Sequence, residues 1–132
     1  MYKEINLRVF GDNRGEMVVV ENSKDIPFEV KRVYYIFNTK SQVSRGLHAH
    51  KDIKQLLVCV SGSCEINLDN GNDRVTVELS SPKKGIIVGS LVWREMKNFS
   101  SDCVLLVMAN SFFSEQDYIR DYDEFLKVVN QK

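Results

Sequence analysis

The chain has 132 residues, 43% of them hydrophobic and 27% charged, which is enough for one domain with a sizeable core and too few for two. Its 18 basic and 18 acidic residues cancel, so there is no electrostatic case for nucleic acid or an anionic membrane as a partner. No apolar leader and no membrane-spanning run is seen, and three cysteines (Cys59, Cys64, Cys103) without a Cys-x-x-Cys read as reduced, mostly buried thiols of a cytoplasmic protein, at a spacing unlike that of structural zinc.

Turn signals recur every eight to twelve residues or so, which suits an all-β sandwich or barrel. Residues 5–10 read as a first strand, Gly11-Asp12-Asn13-Arg14-Gly15 as a turn, and 17–21 as a second strand. Residues 28–37 carry a β-branched and aromatic run that includes Val33, Tyr34, Tyr35, Ile36 and Phe37. In that run Tyr34 and Tyr35 face opposite sides. One belongs to the core or an interface and the other reaches a pocket, and Tyr35 is taken as the pocket residue. Residues 38–44 form a polar loop leading to Arg45-Gly46-Leu47-His48-Ala49-His50.

Residues 55–60 are almost continuously apolar, as in a strand buried on both faces. In 64–68 the pattern alternates, with Cys64, Ile66 and Leu68 inward. Asp69-Asn70-Gly71-Asn72 is a hairpin signal joining that strand to 74–79. Residues 85–89, 91–96 and 103–109 complete the strands. The end of the chain changes period. Ser114-Glu115-Gln116-Asp117 resembles a capping box, and Tyr122, Phe125, Leu126 and Val129 form one apolar stripe. The expectation is a C-terminal helix over about 114–130, packed on the barrel.

Both histidines of the chain are His48 and His50. On a strand, residues two apart point to the same face, so the two imidazoles project together while Leu47 and Ala49 turn away. Two readings follow, a metal clamp or a base with a helper. Adjacent imidazoles disfavour double protonation, so one stays neutral near pH 7 and can act as a base. Arg94, if directed into the same pocket, would stabilise a developing enolate oxygen or hold a phosphate. Base and oxyanion stabiliser are the equipment for proton transfer next to a carbonyl. Arg14 and Arg45 either hold a diphosphate or pin turns; Arg32 pairs structurally with a carboxylate; Trp93 is core or stacks on a base.

The spacing His48-x-His50-x4-Gln55-x6-Gly62 resembles the first motif of metal-binding cupins, with Gln55 in place of the carboxylate ligand. Around the second motif, Trp93-Arg94-x3-Asn98 puts Arg94 where a third histidine ligand would stand. Glutamine is a poor ligand and arginine a fixed cation, so a metal is not expected.

Three further stretches carry a more specific resemblance. They are Lys31-Arg32-Val33-Tyr34-Tyr35-Ile36-Phe37, then Arg45-Gly46-x-His48-Ala49-His50-Lys51, and Gln55-x-Leu57-Val58-Cys59-Val60-x-Gly62-Ser63-Cys64. With Val92-Trp93-x-Glu95-Met96 and Asp117-Tyr118-Ile119-Arg120-x-Tyr122, the chain is similar to the sugar-nucleotide 3,4-ketoisomerases over nearly its whole length. That resemblance implies a single cupin (jelly-roll) domain over 1–132 with a short C-terminal helix. It implies a homodimer that exchanges N-terminal strands, about 1–21, and no metal or other cofactor.

The reaction it implies is conversion of dTDP-4-keto-6-deoxy-D-glucose to a dTDP-3-keto-6-deoxyhexose through a cis-enediol(ate), for 3-amino-3,6-dideoxysugar biosynthesis. His48 matches the family's base and His50 its partner. Arg14, Glu16, Tyr35, Arg45, Gln55 and Arg94 are the substrate-binding candidates. The C4 configuration of the product stays open, with a lean towards gluco from Arg94. The rival readings are a non-catalytic sugar-nucleotide-binding cupin and a metal-dependent one.

Overall fold

The structure, a computed structural model, describes residues 1–131. Among these residues the strands run β1 (Tyr2–Asn6), β2 (Arg8–Asp12), β3 (Gly15–Val19), β4 (Arg32–Phe37), β5 (Arg45–His50), β6 (Gln55–Ser61), β7 (Cys64–Asp69), β8 (Arg74–Leu79), β9 (Lys84–Val88), β10 (Trp93–Lys97), β11 (Val104–Ala109) and β12 (Tyr118–Ile119). A single helix, α1 (Tyr122–Asn130), follows. No helix among the described residues is long and apolar enough to cross a membrane.

The strands form two five-stranded antiparallel sheets, ordered β1-β9-β6-β11-β4 and β12-β5-β10-β7-β8, with β2-β3 as a separate hairpin. This is the expected all-β jelly-roll barrel. Its main core lies between the sheets, where Leu57, Cys59, Leu105 and Val107 of one meet Ile66, Leu68 and Met96 of the other. The alternation along β6 fills a second cluster with Leu56 and Val58, which pack on Leu7, Ile26 and Phe28. β6 is therefore buried on both faces, as its apolar run requires. Burying each of its leucines contributes roughly 1.5–3 kcal/mol, so a one-residue slip of this strand is strongly disfavoured.

The β7–β8 hairpin follows from its four turn residues. Gly71 takes φ +92°, the left-handed region that a side chain disfavours. Its N–H donates to the Asp69 carboxylate at 2.7 Å, and the Asn70 side chain accepts from the N–H groups of Asn72 and Asp73.

Besides β4, which begins at Arg32 and leaves 28–31 of the expected 28–37 outside any strand, two elements differ from expectation. The first strand breaks at Leu7, which is buried and donates its N–H to Lys83 at 2.8 Å, so 5–10 becomes the end of β1 and most of β2. The helix expected from 114 starts only at Tyr122. Ser114 makes no side-chain cap, Glu115–Asp117 form one 3-10 turn, and Asp121 is the helix N-cap, accepting from the Glu124 N–H at 3.1 Å. The intervening Tyr118–Ile119 pairs instead with His50 and Ala49 on the free edge of β5, where Ile119 is fully buried. Tertiary pairing outweighs the local helix signal here, and it carries Asp117 to the histidines. The apolar stripe of α1 then covers the outer face of the second sheet, with Phe125 against Ala49 and Trp93.

Candidate active site

Strand alternation turns His48 and His50 into the barrel and Ala49 towards the helix layer. A bulge helps to aim them. Opposite β5, Arg94 pairs with His48 and Met96 with Arg45, so β5 holds one extra residue there. Gly46 sits in that bulge at φ +91°; a Cβ would have room, 3.6 Å from Met96, and it is the backbone angle that calls for glycine.

The histidines are joined in a chain of hydrogen bonds. His48 Nε2 and His50 Nε2 are 3.1 Å apart, and His50 Nδ1 is 2.8 Å from Asp117 Oδ2. The other carboxylate oxygen of Asp117 accepts the N–H of Asp52 at 2.8 Å, which fixes its orientation. An ionised Asp117 accepts, so His50 donates from Nδ1 and keeps its lone pair on Nε2. His48 must then donate from Nε2, which leaves the lone pair of neutral His48 on Nδ1. His50 is fully buried, whereas His48 lines a cavity of about 600 Å³.

Arg94 lies behind the histidines and is fully buried. Its guanidinium donates to Gln55 Oε1 and to the carbonyls of Gly89 and Val92, while its Nε has no partner among the described residues. Burial pushes its pKa down to about 10, so it remains a cation at neutral pH. Its charge and the burial act together on the histidines. Burial first and Arg94 second hold His48 down to about 3 and His50 to about 4, with Asp117 opposing on His50. Both imidazoles are neutral bases near pH 7.

Gln55 is also fully buried. Its Oε1 accepts from Arg94, so its amide group donates to the Tyr34 hydroxyl at 3.3 Å. Tyr34 accepts there, so its own proton is free to be donated into the cavity it lines. Burial raises the Tyr34 pKa and keeps it protonated.

The rim of the cavity is basic and aromatic, with Arg32, Arg45, Arg120, Phe113 and Tyr118 among its lining. Arg32 has its guanidinium 5.6 Å from the Tyr34 ring and 5.9 Å from that of Phe113. Its Nε is buried without a partner among the described residues. Arg120 is held by Glu115 at 2.8 and 3.0 Å and lies 4.3 Å from the Tyr118 ring.

Of the residues singled out in the sequence, the structure thus brings together His48, His50, Gln55, Arg94 and Arg45. Arg94 and Gln55 do not line the cavity; they act from behind its wall. Tyr35 is outside. On β4 the inner side chains are Arg32, Tyr34 and Ile36, and the outer ones are Val33, Tyr35 and Phe37, with Tyr35 61% exposed. The pocket tyrosine is therefore Tyr34. Arg14 and Glu16 lie on the β2–β3 hairpin, paired with Asp12 and Lys83, and do not line the cavity of their own chain. Trp93 packs on Tyr122 and Phe125. Asp117, Tyr118 and Arg120 were hidden by the helix-like reading of 114–130.

A divalent metal does not fit this donor set. The two Nε2 atoms face each other, the Gln55 oxygen is taken by a guanidinium, and that guanidinium places a fixed cation beside the remaining donors.

The comparisons agree with the geometry. A family model described as FdtA: WxcM-like, C-terminal, matches residues 1–130. A TDP-4-oxo-6-deoxy-α-D-glucose-3,4-oxoisomerase from Aneurinibacillus thermoaerophilus is 51% identical over 127 residues, 96% of this chain and 91% of that protein. The crystal structure of a 3,4-ketoisomerase from Helicobacter canadensis superimposes with a TM-score of 0.95 at 50% identity, covering 98% of this chain and 97% of that one. A histidine-to-asparagine mutant of a 3,4-ketoisomerase from Thermoanaerobacterium thermosaccharolyticum, in complex with TDP-4-keto-6-deoxyglucose, superimposes with a TM-score of 0.97 at 38% identity, covering 99% and 95%. The chain belongs to the FdtA (WxcM-like, C-terminal) family of sugar-nucleotide 3,4-ketoisomerases.

Proposed function

We propose that this chain converts dTDP-4-keto-6-deoxy-D-glucose to its 3-keto isomer by proton transfer alone, with His48 as the base. The observation that carries this reading is the series Asp117–His50–His48, which ends on the cavity wall with two neutral imidazoles. His48 takes the proton from C3, which the C4 ketone acidifies. The electrons of the C3–H bond form the C3–C4 double bond, and the C4 oxygen becomes an oxyanion. The Tyr34 hydroxyl donates to that oxygen, backed by Gln55 and the Arg94 charge.

The positive charge gained by His48 is spread to His50 through the Nε2–Nε2 bond and balanced by Asp117. The hydroxyl proton of O3 passes to the O4 oxyanion, and the carbonyl forms at C3 as the double-bond electrons move to C4. C4 takes up the proton held by the His48–His50 pair, which returns the pair to neutrality. Atoms and electrons balance with no oxidant or metal. The 3-keto product suits an aminotransferase that installs a 3-amino group. The rim arginines Arg32, Arg45 and Arg120 suit a diphosphate, and the exposed Phe113 ring suits the base.

The working unit in this reading is a homodimer. Val33, Tyr35, Phe37 and Val60 leave a strip 44–61% exposed on one sheet, and Phe10 and Met17 on the hairpin are 48% and 58% exposed. Exchange of the strands within 1–21 would carry Arg14 and Glu16 to a neighbouring copy. Sedimentation velocity is expected to show a dimer that Tyr35→Glu dissociates; a monomer at micromolar concentration would remove this part of the reading.

The activity is tested by proton NMR of dTDP-4-keto-6-deoxyglucose with the protein in D2O and excess chelator. Loss of the C3 proton signal and a new 3-keto product are expected, and the product's C4 coupling reports its configuration. Unchanged substrate would refute the reading.

A further inference from the structure

All three cysteines of the chain meet at one point in the barrel, although they come from three separate segments. Cys59 is on β6, Cys64 on β7, and Cys103 just before β11. The Sγ of Cys59 lies 3.5 Å from that of Cys64 and 3.8 Å from that of Cys103, and all three sulfurs fall within 4.8 Å of one another. Sequence spacing alone argues against zinc, because short-range Cys-x-x-Cys pairs are its usual mark. The fold supplies the convergence that the spacing lacks.

We propose that Cys59, Cys64 and Cys103 form a three-thiolate site for a soft divalent cation, zinc by preference. The ligand set is all sulfur, which selects soft ions over magnesium or calcium. A tetrahedral zinc with bonds of about 2.3 Å needs sulfur–sulfur edges of about 3.8 Å. The observed 3.5 and 3.8 Å edges from Cys59 come close to that, and the third edge lies within 4.8 Å. Three thiolates around a divalent ion carry one net negative charge, and around a monovalent ion two. An apolar core favours the smaller charge. Binding replaces three S–H protons, which leave to solvent.

The backbone frame around the sulfurs is built independently of any ion. Ser63 and Ser100 exchange two hydrogen bonds of 2.9 Å, one from the Ser63 N–H to the Ser100 hydroxyl and one from the Ser100 N–H to the Ser63 carbonyl. Gly62 takes φ +64° there, and a Cβ on it would lie 2.3 Å from the Ser100 hydroxyl and 2.9 Å from Cys103 Cα. The β6–β7 turn and the loop before β11 are thus locked together, which fixes Cys64 against Cys103.

The site is separate from the catalytic one. Cys59 is four residues along β6 from Gln55, roughly 13 Å at strand rise. A metal there would tie the two sheets at the other end of the barrel, so it acts on stability and not on turnover.

The test is a titration of the reduced, folded enzyme with cadmium, followed by its ultraviolet thiolate-to-metal charge-transfer band. The chain has no other cysteine, so any such band reports this trio. We expect one cadmium per chain, displacement by zinc, a raised melting temperature and unchanged kcat. Cys64→Ser and Cys103→Ser are each expected to weaken binding by more than about 100-fold, beyond the effect of losing an outer-shell partner. Cys103 sits at the edge with 5% exposure, so its variant keeps the test open if the other fails to fold. No band from folded, reduced protein overturns the proposal. So does copper(I) binding without cadmium or zinc, a Cys59–Cys64 disulfide in the purified enzyme, or unchanged affinity in the Cys103→Ser variant.

Discussion

His50 Nδ1 and Asp117 Oδ2 lie 2.8 Å apart across 67 residues of sequence. That bond decides which nitrogen of His50 carries the proton, and through the 3.1 Å contact it decides the tautomer of His48 as well. Asp117→Asn keeps the shape and removes the charge. The amide can present its NH2 to Nδ1, which reverses both tautomers and leaves His48 with its lone pair turned back into the protein. We expect kcat to fall by about 10²–10⁴ with KM little changed. Steady-state kinetics checks this, and a variant with wild-type kcat would show that the carboxylate does not set the tautomer.

His48→Asn removes the base and leaves the rim intact. Binding of dTDP-4-keto-6-deoxyglucose should stay within a few-fold of wild type by calorimetry, while exchange of the C3 proton falls by at least about 10²-fold. His50→Asn should be milder, since it removes the support and not the base. If His50→Asn stops C3 exchange and His48→Asn does not, the assignment of roles is reversed.

The pH profile carries the signature of the buried arginine. Both histidines are held well below 6.5, to about 3 and about 4. The free enzyme therefore keeps both imidazoles neutral down to about pH 5, and kcat/KM should be flat from pH 8 to there, with its acid limb near 4, where His50 protonates and can no longer accept from His48. Stability has a linked dependence. Above pH 6.5 neither state binds these protons and the contribution is full. Between 6.5 and about 4 the unfolded chain takes them up and the folded chain does not, so stability falls as the pH falls, by up to roughly 1.4 kcal/mol per pH unit for each histidine. Melting temperatures across that window check it. An acid limb at 6.5 would mean that the histidines titrate as exposed groups do.

The barrel was legible because its signals are local. Strand alternation in 64–68 and 74–79, the Asp69–Asn72 turn and the His-x-His register each state their structure within a few residues. What stayed hidden is what depends on distant pairing. Asp117 lies in a run that reads as a helix start, and only the free edge of β5 pulls Tyr118–Ile119 into a strand. Tyr34 and Tyr35 differ only in which face of β4 is inside, and alternation gives two faces without saying which is which. The reach of Arg94 was equally silent. A guanidinium opposite His48 could line the cavity or lie behind it, and the fixed hydrogen bonds to Gln55, Gly89 and Val92 put it behind.

Arg94 lies behind the cavity wall, where its charge acts on the histidines, and this can be separated from its hydrogen bonding. Arg94→Met fills much of the same volume and removes the cation, which is the second cause of the low histidine pKa values after burial. The acid limb of kcat/KM should then move up from about 4 towards 6.5 without reaching it, because burial remains. kcat should fall as well, since Gln55 loses the partner that orients it towards Tyr34. Arg94→Lys keeps the charge but not the planar fork, so it should lower kcat and leave the acid limb in place. The pair of pH profiles reads out the two effects separately. An unmoved limb in Arg94→Met would show that burial alone holds the histidines neutral.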